Sequence, residues 1–311
     1  MSTTTRANFE QLFQSTQEKL YQNSGEWKLL FESGHPLLMP LREEMYKIGD
    51  DAVSRCALCA VPQAGFQDDV SGLREKCGLP DLDKQVHELD SQSTQILLER
   101  KSKRNDNFCN CCDAYIAAHA GGADIELPVL VTDVRESTKV LRGCNPAQGA
   151  VLGLELRKQI SSTAKGRGGF MLQDRGDGYM HVFPYGFAPS EVEDARQWAL
   201  QNSVFTAVKL AKECEIPTPT QSTMRLGIGL HHGTTYMGAP DIDTLPNRLD
   251  LILVLGSATA SIAAHLSDAA KKGTVVIAAD TLERSGIDPE QYQWKVESLD
   301  HTEISAWMIT P

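Results

Sequence analysis

The sequence predicts an α/β fold, an α+β sandwich on a mixed sheet, preceded by a small helical segment rich in cysteine. Three observations predict it. After Gly122, apolar runs of strand length alternate with stretches at helical spacing. Before it, helical spacing dominates, and four of the cysteines there form two Cys-x-x-Cys pairs. A division near Gly121-Gly122 therefore separates a helical segment, 1–122, from the sandwich, 123–311.

Within residues 8–50 the helical positions are Phe9, Leu12, Phe13, Leu20 and Trp27, Leu29, Leu30, Phe31, with a break at Gly34-His35-Pro36. Residues 81–105 are charged and rich in Gln and Ser, and read as a helix ending in Arg100-Lys-Ser-Lys-Arg104, a solvated end rather than a binding patch. Beyond the glycines come a strand near 127–134, a helix near 147–162, a hairpin near 169–184 and a helix over 189–213. Strands follow at 223–230 and 249–255, then a helix over 257–271 and a strand at 273–278.

Composition bounds the function classes. A chain of 311 residues with 41% hydrophobic and 23% charged residues suits one large domain or two modest ones. A net charge of −11 argues against nucleic acid as the main partner, because a phosphate backbone needs a basic face. Small anions stay compatible with it, since local cations override a global sign. No run approaches eighteen apolar residues, and Met1-Ser-Thr-Thr-Thr-Arg-Ala-Asn8 lacks the apolar core of a signal peptide. The expectation is a soluble, cytoplasmic protein with no membrane and no nucleic-acid partner.

The two pairs are Cys56-Ala-Leu-Cys59 and Cys109-Asn-Cys111-Cys112. Two thiolates at this spacing converge from one turn, and two pairs complete a tetrahedral zinc site, so Cys56, Cys59, Cys109 and Cys112 are the expected structural zinc ligands. Unligated core cysteines and redox sensing are the alternatives. Cys77, Cys144 and Cys214 are isolated and read as packing residues.

Two acidic residues carry the chemistry. Leu127-Pro-Val-Leu-Val-Thr-Asp133 is an apolar run delivering a carboxylate at a strand end, and Arg175-Gly176-Asp177-Gly178 sits between apolar runs as a hairpin tip bearing another. Side by side, two carboxylates can hold two Mg²⁺ or Mn²⁺ ions. Such hard cations take oxygen ligands and substrate phosphates, and a pair about 3.5–4 Å apart activates a hydroxyl while stabilising a leaving phosphate. Nucleoside triphosphates are the matching substrate class.

Four successive stretches, Thr132-Asp133-Val-Arg-Glu-Ser-Thr138, Gly176-Asp177-Gly-Tyr-Met-His-Val-Phe183, Arg225-Leu-Gly-Ile-Gly-Leu-His-His-Gly233 with Gly238, and Gly256-Ser-Ala-Thr-Ala-Ser-Ile-Ala-Ala-His-Leu266, resemble in order and spacing the signatures of class III nucleotidyl cyclase domains. The resemblance covers about residues 124–300. The Cys pairs, with Pro62 and Gly65 after the first, are also similar to a Cys-rich segment preceding some bacterial cyclase domains. The resemblance implies a ferredoxin-like palm in which two metals bridge the aspartates and the triphosphate, and the ribose 3′-hydroxyl attacks the α-phosphorus to expel pyrophosphate. Asp133 and Asp177 match the metal ligands. Val134 would lend its carbonyl, and the amides of Arg135, Glu136, Ser137 and Thr138 would cradle the phosphates.

The departures point to a divergent member. Purine cyclases commonly carry Lys where this sequence has Gln173, and Asp or Thr where it has Leu253 within Leu251-Ile-Leu-Val-Leu-Gly256. Gln173 can pair with adenine, cytosine or uracil, because its amide can turn either way, while Ile252 or Leu253 would fill purine space or serve as strand core. This departure resembles the pyrimidine cyclases of bacterial anti-phage (Pycsar) signalling, and implies UTP or CTP as substrate. The family's catalytic Asn and Arg fall on Ser261 and His265. Ser261 can donate a hydrogen bond, His265 offers charge only when protonated, and Arg135, Arg175, Lys271 and Lys272 are substitutes for the missing Arg. His231 and His232 read as strand-end residues. Because family sites form between two domains, one such domain implies a homodimer with sites at the interface. A nucleotide-binding regulator without turnover, a conventional adenylate cyclase with an atypical pocket, and a half-enzyme needing another chain are the alternatives.

Overall fold

The computed structural model describes residues 17–47, 55–61, 63, 102, 107–174, 176–219, 222–239, 253–255, 257–299 and 304–311. Along these the helices are α1 (Ser24–Lys28), α2 (Leu38–Lys47), α3 (Asn110–Ala118), α4 (Ser137–Leu141), α5 (Pro146–Lys165), α6 (Ala195–Glu213), α7 (Ala258–Ala269) and α8 (Ala279–Ser285). The strands are β1 (Gly121–Val134), β2 (Phe170–Asp174), β3 (Gly178–Val182), β4 (Ile216–Pro217), β5 (Thr223–Met224), β6 (Leu226–Ala239), β7 (Leu253–Leu255), β8 (Thr274–Ala278), β9 (Lys295–Leu299) and β10 (Ala306–Thr310). The helix expected over 81–105 and the basic run 100–104 lie outside the described residues, apart from Ser102.

The chain divides into two compact units, one of residues 1–125 with 236–255, the other of 126–235 with 256–311. In the first, the expected helical positions Trp27, Leu30 and Phe31 are buried, and the Trp27 and Phe31 rings stack at 5.8 Å. The π-turn Leu29–Gly34 ends at Gly34 with φ 83°, which places the expected break where it was read. β7 pairs antiparallel with the end of β6, Leu253 opposite Gly238. The Gly121-Gly122 pair opens β1 instead of linking elements: a Cβ on Gly122 would lie 2.6 Å from the Gly238 Cα, so backbone packs on backbone there.

In the second unit the strands run β2-β3-β1-β6-β8-β10-β9. β1 and β3, β2 and β3, β8 and β10, and β9 and β10 pair antiparallel, while β6 and β8 are parallel. This is a mixed sheet with helices, the α+β class expected. β8 reads Thr-Val-Val-Ile-Ala because both its faces are covered: Val275 and Ile277 join the core with α5 and α6, while Val276 and Ala278 join the core with Leu266 of α7. α5 starts at a capping box, in which Asn145 and Gln148 exchange side-chain-to-amide bonds of 2.9 Å ahead of Pro146 at the first helical position.

α7 packs closely on β6 where the strand carries glycine. The strand presents Gly227, Gly229 and Gly233, alternate positions that a period of two puts on one face. A Cβ on Gly229 would strike the Ala263 carbonyl and Ser267 amide of α7, and one on Gly233 would lie 2.7 Å from Thr259 Oγ1. Thr259 and Ser267 donate instead to the carbonyls of Thr234 (2.8 Å) and Gly227 (3.1 Å), stitching the helix to the strand.

His181, on β3, is fully buried, and neither ring nitrogen has a hydrogen-bond partner among the described residues. Burial, with Lys165 adding to it, pushes its pKa down to about 3. The folded state therefore keeps this imidazole neutral while the unfolded chain protonates it below about pH 6.5. Stability contributed above that pH is lost as pH falls from about 6.5 towards 3, with a slope approaching ~1.4 kcal/mol per pH unit. Chemical denaturation of wild type and His181→Leu between pH 7 and 4.5 checks this: the wild type falls more steeply, and parallel curves would contradict it.

Candidate functional site

β1 and β3 bring the two aspartates together. Asp133 stands opposite Gly178 in the antiparallel register, so Asp177 lies one residue before that pair, and the Val134 amide donates to the Asp177 carbonyl at 2.9 Å. The Asp177 side chain is exposed and accepts from Ser137 Oγ at 2.7 Å, which fixes one of its oxygens. Burial raises the Asp133 carboxyl above its ordinary range; Arg135 opposes that rise, while the charges of Asp177 and Asp268 add to it. Three carboxylates thus crowd one strand end with a single guanidinium ion-paired to Asp133.

That guanidinium is built into the fold. Glu136 adopts φ 60°, a left-handed turn that folds the chain back into α4. Arg135 pairs with Asp133 and also donates to the Asp268 carbonyl on α7 at 3.3 Å. Its side chain occupies the space left by the absent Cβ of Gly227, where an added carbon would come 2.5 Å from Nε and 2.9 Å from Cζ. Lys272 pairs with Glu136, which lowers that carboxyl below its usual range.

The donor chemistry fits a hard divalent cation: the carboxylates of Asp133 and Asp177 stand at adjoining strand ends, with the Arg135 guanidinium paired to Asp133. The expected phosphate cradle is narrower than read from sequence, because the Arg135 amide donates to the Arg225 carbonyl at 3.0 Å. Arg135 enters the site through its side chain instead. Ser137 contributes its hydroxyl to Asp177, and Thr138 is an exposed residue of α4.

The remaining expected residues fall elsewhere. Ser261 and His265 lie one turn apart on the exposed side of α7. Seven residues separate Ser261 from Asp268, about 10 Å along a helix, so Ser261 stands two turns from the end of α7 that meets Arg135. Gln173 is on β2 opposite Met180, beside a bulge after Met171, and Leu253 is on β7; the side chains of both, and residue Ile252, lie outside the described residues. His231 and His232, expected at a strand end, lie inside β6. The buried His232 ring bonds the Tyr185 hydroxyl at 2.5 Å and approaches Glu126 at 3.5 Å, away from the aspartates. Sequence reasoning missed Asp268 and Gly227; the only signal for the latter is the alternate-glycine pattern of β6.

No protein-family model matches the chain, and no curated protein matches it. Among solved structures, a monomeric guanylyl cyclase domain of the RhoGC fusion protein from the aquatic fungus Blastocladiella emersonii aligns at 19% identity over 60% of this chain and 96% of its own, with a TM-score of 0.45. The guanylyl cyclase Cya2 aligns at 19% identity over 61% and 93%, with a TM-score of 0.47. The adenylyl cyclase CyaB from P. aeruginosa aligns at 14% identity over 61% and 96%, with a TM-score of 0.45. Among the described residues, no helix is long and apolar enough to cross a membrane.

Proposed function

We propose that the second unit is a nucleotidyl cyclase converting a nucleoside triphosphate into a 3′,5′-cyclic nucleotide and pyrophosphate. The observation that carries the reading is the side-by-side placement of Asp133 and Asp177 at adjoining strand ends. Asp133 and Asp177, with the Val134 carbonyl, would hold two Mg²⁺ or Mn²⁺ ions. Such ions, when bound, would lower the pKa of the ribose 3′-hydroxyl and offset charge on the leaving phosphates. Ser137 keeps Asp177 aimed into the site through its hydroxyl. Arg135 is the counter-charge of Asp133, and its guanidinium is the positive group at this strand end suited to the substrate phosphates. The bond formed joins the 3′-oxygen to the α-phosphorus, the bond broken joins that phosphorus to the β-phosphate bridge, and the hydroxyl proton passes to solvent.

Ser261 and His265 serve a site completed by a second copy of the chain, since their exposed face of α7 points to solvent within one chain and Ser261 lies two turns from Asp133's neighbours. A homodimer follows, with specific activity rising as protein concentration drives association. Gln173 and Leu253 are the base-reading positions, and their departure from the purine pattern favours UTP or CTP, the substrates of a second-messenger synthase in anti-phage defence.

The ion pair between Arg135 and Asp133 favours a second reading, a nucleotide-binding regulator in which the guanidinium permanently takes the cation's place. Incubation of the full chain with Mn²⁺ and each of the four ribonucleoside triphosphates, with products separated by chromatography, decides between them. The expected result is cyclic product from UTP or CTP at least about tenfold faster than from ATP, the selectivity one to two kcal/mol of pocket shape supplies. Preference for ATP would return the protein to an adenylate cyclase with an atypical pocket. Tight binding without product would establish the regulator.

A further inference from the structure

The first unit holds a second constellation. The Sγ atoms of Cys56, Cys59, Cys109 and Cys112 all lie within 4.8 Å of one another, and each residue is at most 3% exposed. Cys59 and Cys109, fifty positions apart, approach to 3.7 Å between sulfurs. A tetrahedral zinc ion with Zn–S bonds near 2.3 Å spaces its ligands about 3.8 Å apart, whereas a disulfide needs about 2.05 Å. The spacing matches a tetrahedron's edge.

Each pair is shaped locally for this geometry. The first closes a tight turn: the Ala60 amide donates to the Cys56 carbonyl at 2.9 Å, the Cys56 amide to the Val61 carbonyl at 2.9 Å, and Ala60 takes φ 59° to complete it. A non-glycine residue at that φ is strained, and strain of this kind persists where the surroundings fix it. The second pair opens α3, with Cys109 as its N-cap and the Cys112 amide donating to Cys109 Sγ at 3.5 Å. The positive end of a helix dipole and amide donors favour thiolate over thiol.

Charge is the harder requirement. Zn²⁺ with four thiolates is a dianion, and a buried dianion needs positive partners. Arg42 and Arg55 are buried beside the first pair, at 4% and 6% exposure. Arg42 Nη1 donates to the carbonyls of Ala57 (2.6 Å) and Leu58 (2.9 Å), the two residues between Cys56 and Cys59. Arg55 Nη1 donates to the carbonyls of Ala60 (3.1 Å) and Met45 (2.9 Å). Both guanidiniums lie over the Tyr46 ring, at 5.1 and 5.7 Å, which holds them in place. Without a metal, four thiols share one dry space.

We propose that Cys56, Cys59, Cys109 and Cys112 bind a structural zinc ion, and that Arg42 and Arg55 neutralise the resulting dianion. The site is closed, with all four positions filled by protein, and it ties residues 55–61 to α3, from which His119 and Ala120 lead into β1. Its role is to stabilise the first unit, independent of any turnover in the second.

Metal analysis of the full chain, followed by exchange of zinc for Co²⁺, tests this. The expected result is about one zinc per chain, a Co²⁺ form with strong thiolate-to-metal charge-transfer absorption, and loss of both in Cys59→Ser. Because a cysteine variant can fail to fold, Arg42→Met and Arg55→Met provide the second arm: each keeps all four thiols and weakens zinc about 10- to 100-fold in competition with a chelator, the usual effect of removing a group that supports metal ligands. A folded, reduced wild type without zinc that also takes up no Co²⁺ would overturn the site. Unchanged zinc affinity in both arginine variants would overturn the neutralising role.

Discussion

Replacing Asp177 or Asp133 by alanine lowers turnover by about a thousandfold or more, ~4 kcal/mol of transition-state stabilisation, while the second unit stays folded. The two halves of that expectation have one physical origin. Asp133 sits among like charges, with burial raising its carboxyl and Asp177 and Asp268 raising it further, so its removal relieves repulsion as it forfeits the Arg135 ion pair. Asp177 is exposed and loses one hydroxyl contact, with Ser137. Groups arranged against their own electrostatic interest are characteristic of a site that binds cations. Thermal melts within a few degrees of wild type, beside lost activity, check the account. Activity unchanged in either variant would refute the metal assignment.

The opposite pattern is expected at Gly229. Alanine there puts a carbon onto the Ala263 carbonyl and the Ser267 amide, 2.9 Å from the Leu266 carbonyl carbon. All three belong to helix backbone, with no flexible side-chain end to yield, so α7 must lift from β6. A loss of about 3 kcal/mol follows, several degrees in melting temperature. Turnover falls as well, since the last turn of α7 supplies the Asp268 carbonyl that orients Arg135. Gly153→Ala is the control: no atom lies within 4 Å of its added carbon on α5, and a helix gains about 0.5–1 kcal/mol from that exchange. Equal stability of the two variants would contradict the packing argument.

Much of this arrangement was legible in the sequence because its signals are local. Val-Thr-Asp133 and Gly176-Asp177-Gly178 carry their own strand and turn chemistry, and the near-continuous runs beside them are strands buried on both faces. The uninterrupted Val275-Val-Ile277 announces a strand covered on both faces. What escaped was local structure too short or too polar to show a period: α4 has five residues, α8 seven, and four of the five residues of β9 are exposed. Arg135 was a candidate, but the pairing of its side chain with Asp133 escaped for a different reason. Its turn towards Asp133 depends on the left-handed Glu136, on a missing Cβ at Gly227 and on a carbonyl at Asp268, groups brought together only by the fold. The same holds for Arg42 and Arg55, which stand in no sequence motif and which the structure buries against the Cys56–Cys59 turn.

The central claim is that Asp133 and Asp177 direct metal-dependent cyclisation. Its most direct test is the product balance of the full chain with Mn²⁺ and its preferred triphosphate, measured as cyclic nucleotide and pyrophosphate in the same reaction. Equal molar amounts of the two, abolished by chelation and absent from Asp177→Ala, are predicted. Inorganic phosphate as the released product, or no cyclic nucleotide from any of the four triphosphates, would contradict it.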